Sequence, residues 1–129
     1  MILTSSFLFL FALCLAPEYK TLYVAKADPV NFYDPLIRAL ILVEVGNGSI
    51  LFNPLENAVG WFQIRPIRLE HYNKLRGTNY KLEDFYDYDL SKEMFLYYAH
   101  GKDWEHAARD WNGSGHKTLE YWEKIKKLL

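Results

Sequence analysis

The sequence predicts a small, mainly α-helical domain with one short irregular or β-like element after its first helix. Three observations predict it. Five segments carry helix start and stop signals with a 3.6-residue apolar repeat. A single interval, residues 46–60, is rich in glycine, asparagine and proline instead. The composition, 50% apolar, 17% aromatic and 24% charged over 129 residues, suits one globular domain with a real core.

The first helix follows Asp34-Pro35, read as an N-cap with proline at the first helical position. Ile37, Leu40, Ile41 and Glu44 then fall on one face, and Gly46 and Gly48 end the helix where the backbone turns to positive φ. Asn53-Pro54 marks a turn in the short extended segment that follows. A second helix starts near Pro66 and stops at Gly77. "KLEDFYDYDL" reads as acidic, aromatic connecting chain. Ser91 opens a third helix with Met94, Phe95 and Tyr98 turned inward. Asp103 caps a short fourth helix that Gly113 stops. Thr118 opens the last, with Leu119, Trp122, Ile125 and Leu129 on one side.

Residues Phe7–Ala16 are wholly apolar, and Ala25-Lys26-Ala27 supplies a small-x-small cleavage pattern. Residues 1–27 are therefore expected to be a signal peptide, cut after Ala27 or, at an earlier site, after Ala16. The mature domain, residues 28–129, would be exported to the periplasm or outside the cell. A buried N-terminal helix or a lipid anchor are the competing readings of the same segment. Cys14, the sole cysteine, lies within it, so the mature chain would hold no disulfide. No uninterrupted apolar run reaches about 18 residues, so no stable membrane span is expected. A net charge of −1 gives nucleic-acid binding no electrostatic support. The four histidines lack metal-ligand spacing; neither metal nor cofactor is implied.

Glu44 is the residue that draws attention. It continues an apolar stripe, in the last turn, where both desolvation and the negative end of the helix dipole disfavour its charge. That is the direction in which a general acid is tuned. On the helix pattern alone, a frayed helix end with Glu44 in solvent is the better reading, because ordinary surface glutamates greatly outnumber catalytic ones.

Four motifs in order tip the balance. Glu44 is followed by Asn53-Pro54, then Gly60-Trp61-Phe62-Gln63-Ile64 with Pro66, then Trp111-Asn112-Gly113, then Thr118, Tyr121 and Ile125. This order resembles the lytic transglycosylase SLT family, which shares a lysozyme-like α+β fold with goose-type lysozymes. The likeness spans about residues 35–127 and is nearest to short single-domain members from Bacteroidetes-type bacteria and their phages. Two positions depart from the family pattern. Val45 stands where many members have serine, and Trp111 stands where they have tyrosine.

The resemblance implies a peptidoglycan lytic transglycosylase, a monomer acting on glycan strands. It would cleave the MurNAc–GlcNAc β-1,4 bond and leave a 1,6-anhydro-MurNAc end. Glu44 would be the single catalytic acid and base. Gln63 and Asn112 would hydrogen-bond the sugar hydroxyls and acetamido groups. Phe62 and Trp111 would contact sugar rings, as would Trp61, and Tyr121 would orient the substrate or stabilise developing charge. Glu56 and the acidic run Glu83–Asp89 are expected to be solvated surface. A lysozyme-type hydrolase, acting as muramidase or chitinase, and a non-catalytic glycan-binding or assembly protein are the alternatives.

Overall fold

The structure is a computed structural model that describes residues 31–46, 48 and 50–129; the expected signal segment lies outside them. The chain folds into α1 (Asp34–Val45), β1 (Phe52–Asn53), β2 (Ala58–Val59), α2 (Pro66–Arg76), a 3₁₀ helix (Leu82–Tyr86), α3 (Tyr88–Ala99), α4 (Trp104–Asn112) and α5 (Lys117–Lys126). This is the mainly α architecture expected, with its small β element directly after the first helix. Among the described residues no helix is long and apolar enough to cross a membrane.

The β element is a hairpin. β1 and β2 pair antiparallel with Phe52 opposite Val59 and Asn53 opposite Ala58. The Asn53 side chain accepts the N–H of Leu55 at 3.0 Å, which starts the turn at the predicted Asn-Pro position. α2 begins at Pro66 and ends at Gly77, whose φ of 65° is the left-handed conformation that terminates helices. α4 is capped by the Asp103 carboxylate, which accepts the His106 N–H at 2.8 Å.

Three local expectations are corrected. Asp34 is the first residue of α1 and Tyr33 is its N-cap, with no side-chain cap bond. The reason is an upstream turn. The Asn31 side chain accepts the Tyr33 N–H, and Asp34 reaches back to the Asn31 N–H, each at 2.9 Å. α3 begins a turn before Ser91, because Asp87 supplies the cap by accepting the Leu90 N–H at 2.8 Å. Ser91 is instead fully buried, its hydroxyl placed 2.7 Å from the Phe85 carbonyl and 2.8 Å from that of Asp87. That contact ties α3 to the 3₁₀ helix. On α5 the buried face is Thr118, Tyr121 and Ile125, whereas Leu119 and Leu129 are exposed. Thr118 explains the rotation: its hydroxyl donates to the Gly115 carbonyl at 2.7 Å and is turned inward by that bond.

The core gathers Leu36, Ile37 and Leu40 of α1, Phe85, Met94 and Phe95, and Ile125 of α5, all essentially inaccessible. α5 packs on α1 and α4, and α4 packs on α3. This layering, with each helix burying one apolar stripe, is what carries the C-terminal end of α1 to the domain surface beside the hairpin.

Candidate active site

Glu44 is the penultimate residue of α1. Its neighbours along the helix, Leu40 and Ile41, pack that face against the core, so the Glu44 side chain is partly buried. Tyr121, arriving from α5, donates its phenolic O–H to Glu44 Oε1 at 2.7 Å. Burial raises the Glu44 pKa above the ordinary carboxylate value, and the nearby Glu56 charge adds to it. The Tyr121 hydrogen bond opposes the shift, as do the charges of Arg65 and Arg68. The Tyr121 pKa is itself driven well above the usual phenol value, by burial and by the Glu44 charge. The phenol therefore stays protonated and acts as a donor to Glu44.

Gln63 is set beside Glu44 by a tight loop. Val59 and Ile64 exchange both backbone hydrogen bonds, at 3.0 and 2.9 Å, and so close the four residues between them. Closing so short a loop needs left-handed backbone at two positions. Gly60 takes φ 75° and Gln63 takes φ 49°. Only glycine fits the first, because a Cβ there would collide with the Phe85 carbonyl. At Gln63 the conformation costs a side-chain-bearing residue on the order of 1 kcal/mol. The Gln63 amide partly offsets it by donating from Nε2 to the Gly60 carbonyl at 2.9 Å.

Two adjoining cavities meet at this point, and Glu44 and Gln63 line both. One, of about 380 Å³, is polar and is completed by Glu56, Arg65, Trp111, Asn112 and Lys117. The other, of about 410 Å³, is bounded largely by apolar groups, among them Ile50, Phe52 and Leu55 of the hairpin region. Glu44 thus stands midway along a groove with a polar arm and an apolar arm.

Of the residues singled out from sequence, Glu44, Gln63, Trp111 and Asn112 converge on the polar arm, and Tyr121 touches Glu44 from behind. Phe62 does not join them. It is fully buried, with its ring against Phe95 and Trp111, so the expectation that it contacts substrate is corrected. It serves the site through its backbone: its carbonyl accepts the Trp111 indole N–H at 3.1 Å and fixes that ring. Trp111 is itself 96% covered, since it is only 4% exposed. Phe95 packs edge-on to it at 5.2 Å, and the Arg68 guanidinium lies 4.3 Å from its ring centre. The ring-face stacking expected of it therefore has no room.

Arg65 and Lys117 are not among the residues singled out from sequence, and Glu56 is expected there to be solvated surface. Glu56 is indeed exposed, yet it belongs to the wall of the polar arm. It sits in the hairpin turn and is brought there by the β pairing. Arg65 could have been noticed, because it lies inside the Gly60–Pro66 motif; Lys117 had no sequence signal. No protein-family model, curated protein or solved structure matches the chain.

Proposed function

We propose that this chain is a peptidoglycan lytic transglycosylase with Glu44 as its only proton-transferring group. The observation that carries the reading is the setting of Glu44: a carboxyl whose pKa burial raises, hydrogen-bonded by a phenol and open to a groove on both sides. A pure glycan-binding protein has no use for a desolvated acid at a helix C-terminus.

The chemistry needs one such group. Glu44 gives its proton to the glycosidic oxygen as the bond from the anomeric carbon breaks, and the GlcNAc hydroxyl leaves. The acetamido oxygen of the same MurNAc bonds to the anomeric carbon and disperses the developing positive charge. Glu44, now a carboxylate, accepts the proton of the MurNAc 6-hydroxyl while that oxygen displaces the acetamido oxygen. The product is the 1,6-anhydro ring, no water is consumed, and Glu44 is protonated again. Tyr121 stabilises the transient carboxylate with its 2.7 Å hydrogen bond. Gln63 and Asn112, on the groove wall, suit the task of holding the acetamide plane, each offering a donor and an acceptor. The enzyme would act on the cell wall after export.

A second reading has one observation in its favour. Glu56 lines the same polar arm as Glu44, and two carboxylates across a sugar are the equipment of a hydrolase. Mass spectrometry of digested peptidoglycan separates the two, because the anhydro product lacks one water. Anhydro ends from wild type and from Glu56→Gln, with none from Glu44→Gln, support the transglycosylase. Reducing ends alone, abolished by Glu56→Gln, would replace it with the hydrolase.

A further inference from the structure

A third, smaller cavity of about 200 Å³ adjoins the polar arm, and Arg65 lines both. Its other walls are Ile67, Arg68, His71 and Tyr98. Two guanidinium groups and an imidazole therefore face one hollow, at one end of the groove. Among the described residues neither Arg65 nor Arg68 forms an ion pair. Asp110, the acid nearest in effect to Arg68, is held by Lys102 at 2.8 Å. The arrangement is electrostatically unfavourable as it stands: burial and the Arg65 charge both lower the Arg68 pKa. An anion between the two cations would offset their mutual repulsion.

The guanidinium groups are also held ready. Arg65 donates from Nη2 to the Asn112 carbonyl at 2.8 Å. Arg68 donates from Nη2 to the carbonyls of Trp111 at 2.7 Å and Asp110 at 3.2 Å. These bonds cap the C-terminal end of α4, but they use one nitrogen of each fork. Nε and Nη1 of both residues have no partner among the described residues. Capping α4 thus fixes two forks whose remaining N–H groups suit a planar oxyanion. His71 is kept in place by its Nδ1 contact of 2.9 Å with the Tyr98 hydroxyl, which leaves Nε2 uncommitted.

We infer that Arg65, Arg68 and His71 form an oxyanion subsite that takes a carboxylate of the peptide carried by the glycan strand. The inference rests on the proposed action on peptidoglycan and adds a selection to it. The opposite arm of the groove is bounded by Ile50, Phe52 and Leu55 and offers no cation. Charge is therefore read on one side of Glu44 only. That asymmetry sets the direction in which a peptide-bearing strand lies and disfavours neutral chitin-like chains and strands whose peptide carboxylates are amidated.

The test uses the full chain with Glu44→Gln, so that ligands bind without being cleaved. Calorimetric titration compares a GlcNAc-MurNAc fragment bearing a dipeptide with free carboxylates, the same fragment amidated, a neutral chitin tetrasaccharide, and inorganic phosphate. The free-carboxylate fragment should bind about tenfold more tightly than its amidated form, the size of one charge-assisted hydrogen bond. Adding Arg68→Gln or His71→Gln should close that gap. Equal affinity for the free and amidated fragments overturns the subsite, and this comparison needs no change at the arginines that cap α4. Phosphate binding as tightly as the carboxylate fragment, and competing with it, would overturn the peptide assignment in favour of a phosphate-bearing polymer. If wild type still yields anhydro ends from cell walls while the gap is absent, the subsite fails and the proposed function stands. If no glycan is bound or cleaved, both fail.

Discussion

Glu44→Gln should leave a protein that is inactive yet more stable than wild type at neutral pH, and the gain should depend on pH in a defined sense. Glutamine keeps the shape of the side chain and can still accept the Tyr121 hydroxyl through Oε1, so the 2.7 Å contact survives. What disappears is a charge placed against the negative end of α1 and taken partly out of water. The folded-state pKa of Glu44 is raised above its unfolded value. Its contribution is therefore fully favourable below the unfolded pKa, about 4.3, and is lost as pH rises through the folded value. Glutamine has no such loss. The helix-end interaction alone is worth about 0.3–1 kcal/mol, which for a domain of this size raises Tm by about 2–6 °C. Thermal denaturation of both proteins from pH 3.5 to 9 checks this. The two curves should meet near pH 4 and separate with rising pH, reaching a plateau above the folded pKa. A variant less stable than wild type, or a difference independent of pH, would refute the placement of Glu44 as a strained acid. Turnover of the same variant should fall by at least about 10²–10⁴-fold, the worth of a positioned general acid.

The neighbouring residues give independent tests. Tyr121→Phe removes a hydrogen bond to the carboxylate that forms during turnover, so the rate should drop about 10–100-fold, from about 1.5–3 kcal/mol. Because that bond holds the Glu44 pKa down, the alkaline limb of the pH–rate profile should also move to higher pH; an unmoved limb would deny the coupling. Gln63→Gly relieves the left-handed backbone at φ 49°, so chemical denaturation should show stability equal to or above wild type while turnover falls strongly. Loss of both together would make Gln63 a merely structural residue. Asn112→Ala should lower turnover in the same way, with anhydro ends remaining the product of any residual activity. Gly60→Ala drives a Cβ into the Phe85 carbonyl at a positive φ and should cost about 2–4 kcal/mol of stability; urea midpoints within about 0.5 kcal/mol of wild type would contradict the loop geometry.

Local chemistry was enough to place most helix ends. Pro66 and Gly77 bound α2, and Asp103 and Gly113 bound α4, because each acts on the backbone within a few residues. For Glu44 the 3.6-residue stripe ending at a glycine set its position on the inner side of the helix, but the same pattern fitted a frayed end with the carboxyl in solvent, and only the later motifs favoured the buried acid. Where local signals competed, the sequence misled. Ser91 has the residue type of a cap, but Asp87 took that role, and burial against Phe85 decided what Ser91 does. Hydropathy alone favoured Leu119 and Trp122 on α5, whereas the motif positions Thr118, Tyr121 and Ile125 are the face that is buried.

The site depended on the tertiary structure far more than the helices did. Nothing near Glu44 in the chain announces its phenol partner, which comes from 77 residues away. Phe62 and Trp111 are aromatic residues that the resemblance led one to expect against sugar rings, yet their exposure is a property of the whole core, and packing withdrew both from ring stacking. Glu56 reached the groove wall through a two-residue β pairing, and Arg65 and Arg68 acquired their orientation from the carbonyls of α4, more than 40 residues on. The sequence by itself determined where the acid sits on its helix, because that follows from backbone period and end chemistry. Only the tertiary structure decided what surrounds it, because desolvation, partner charges and access are set by atoms distant in the chain.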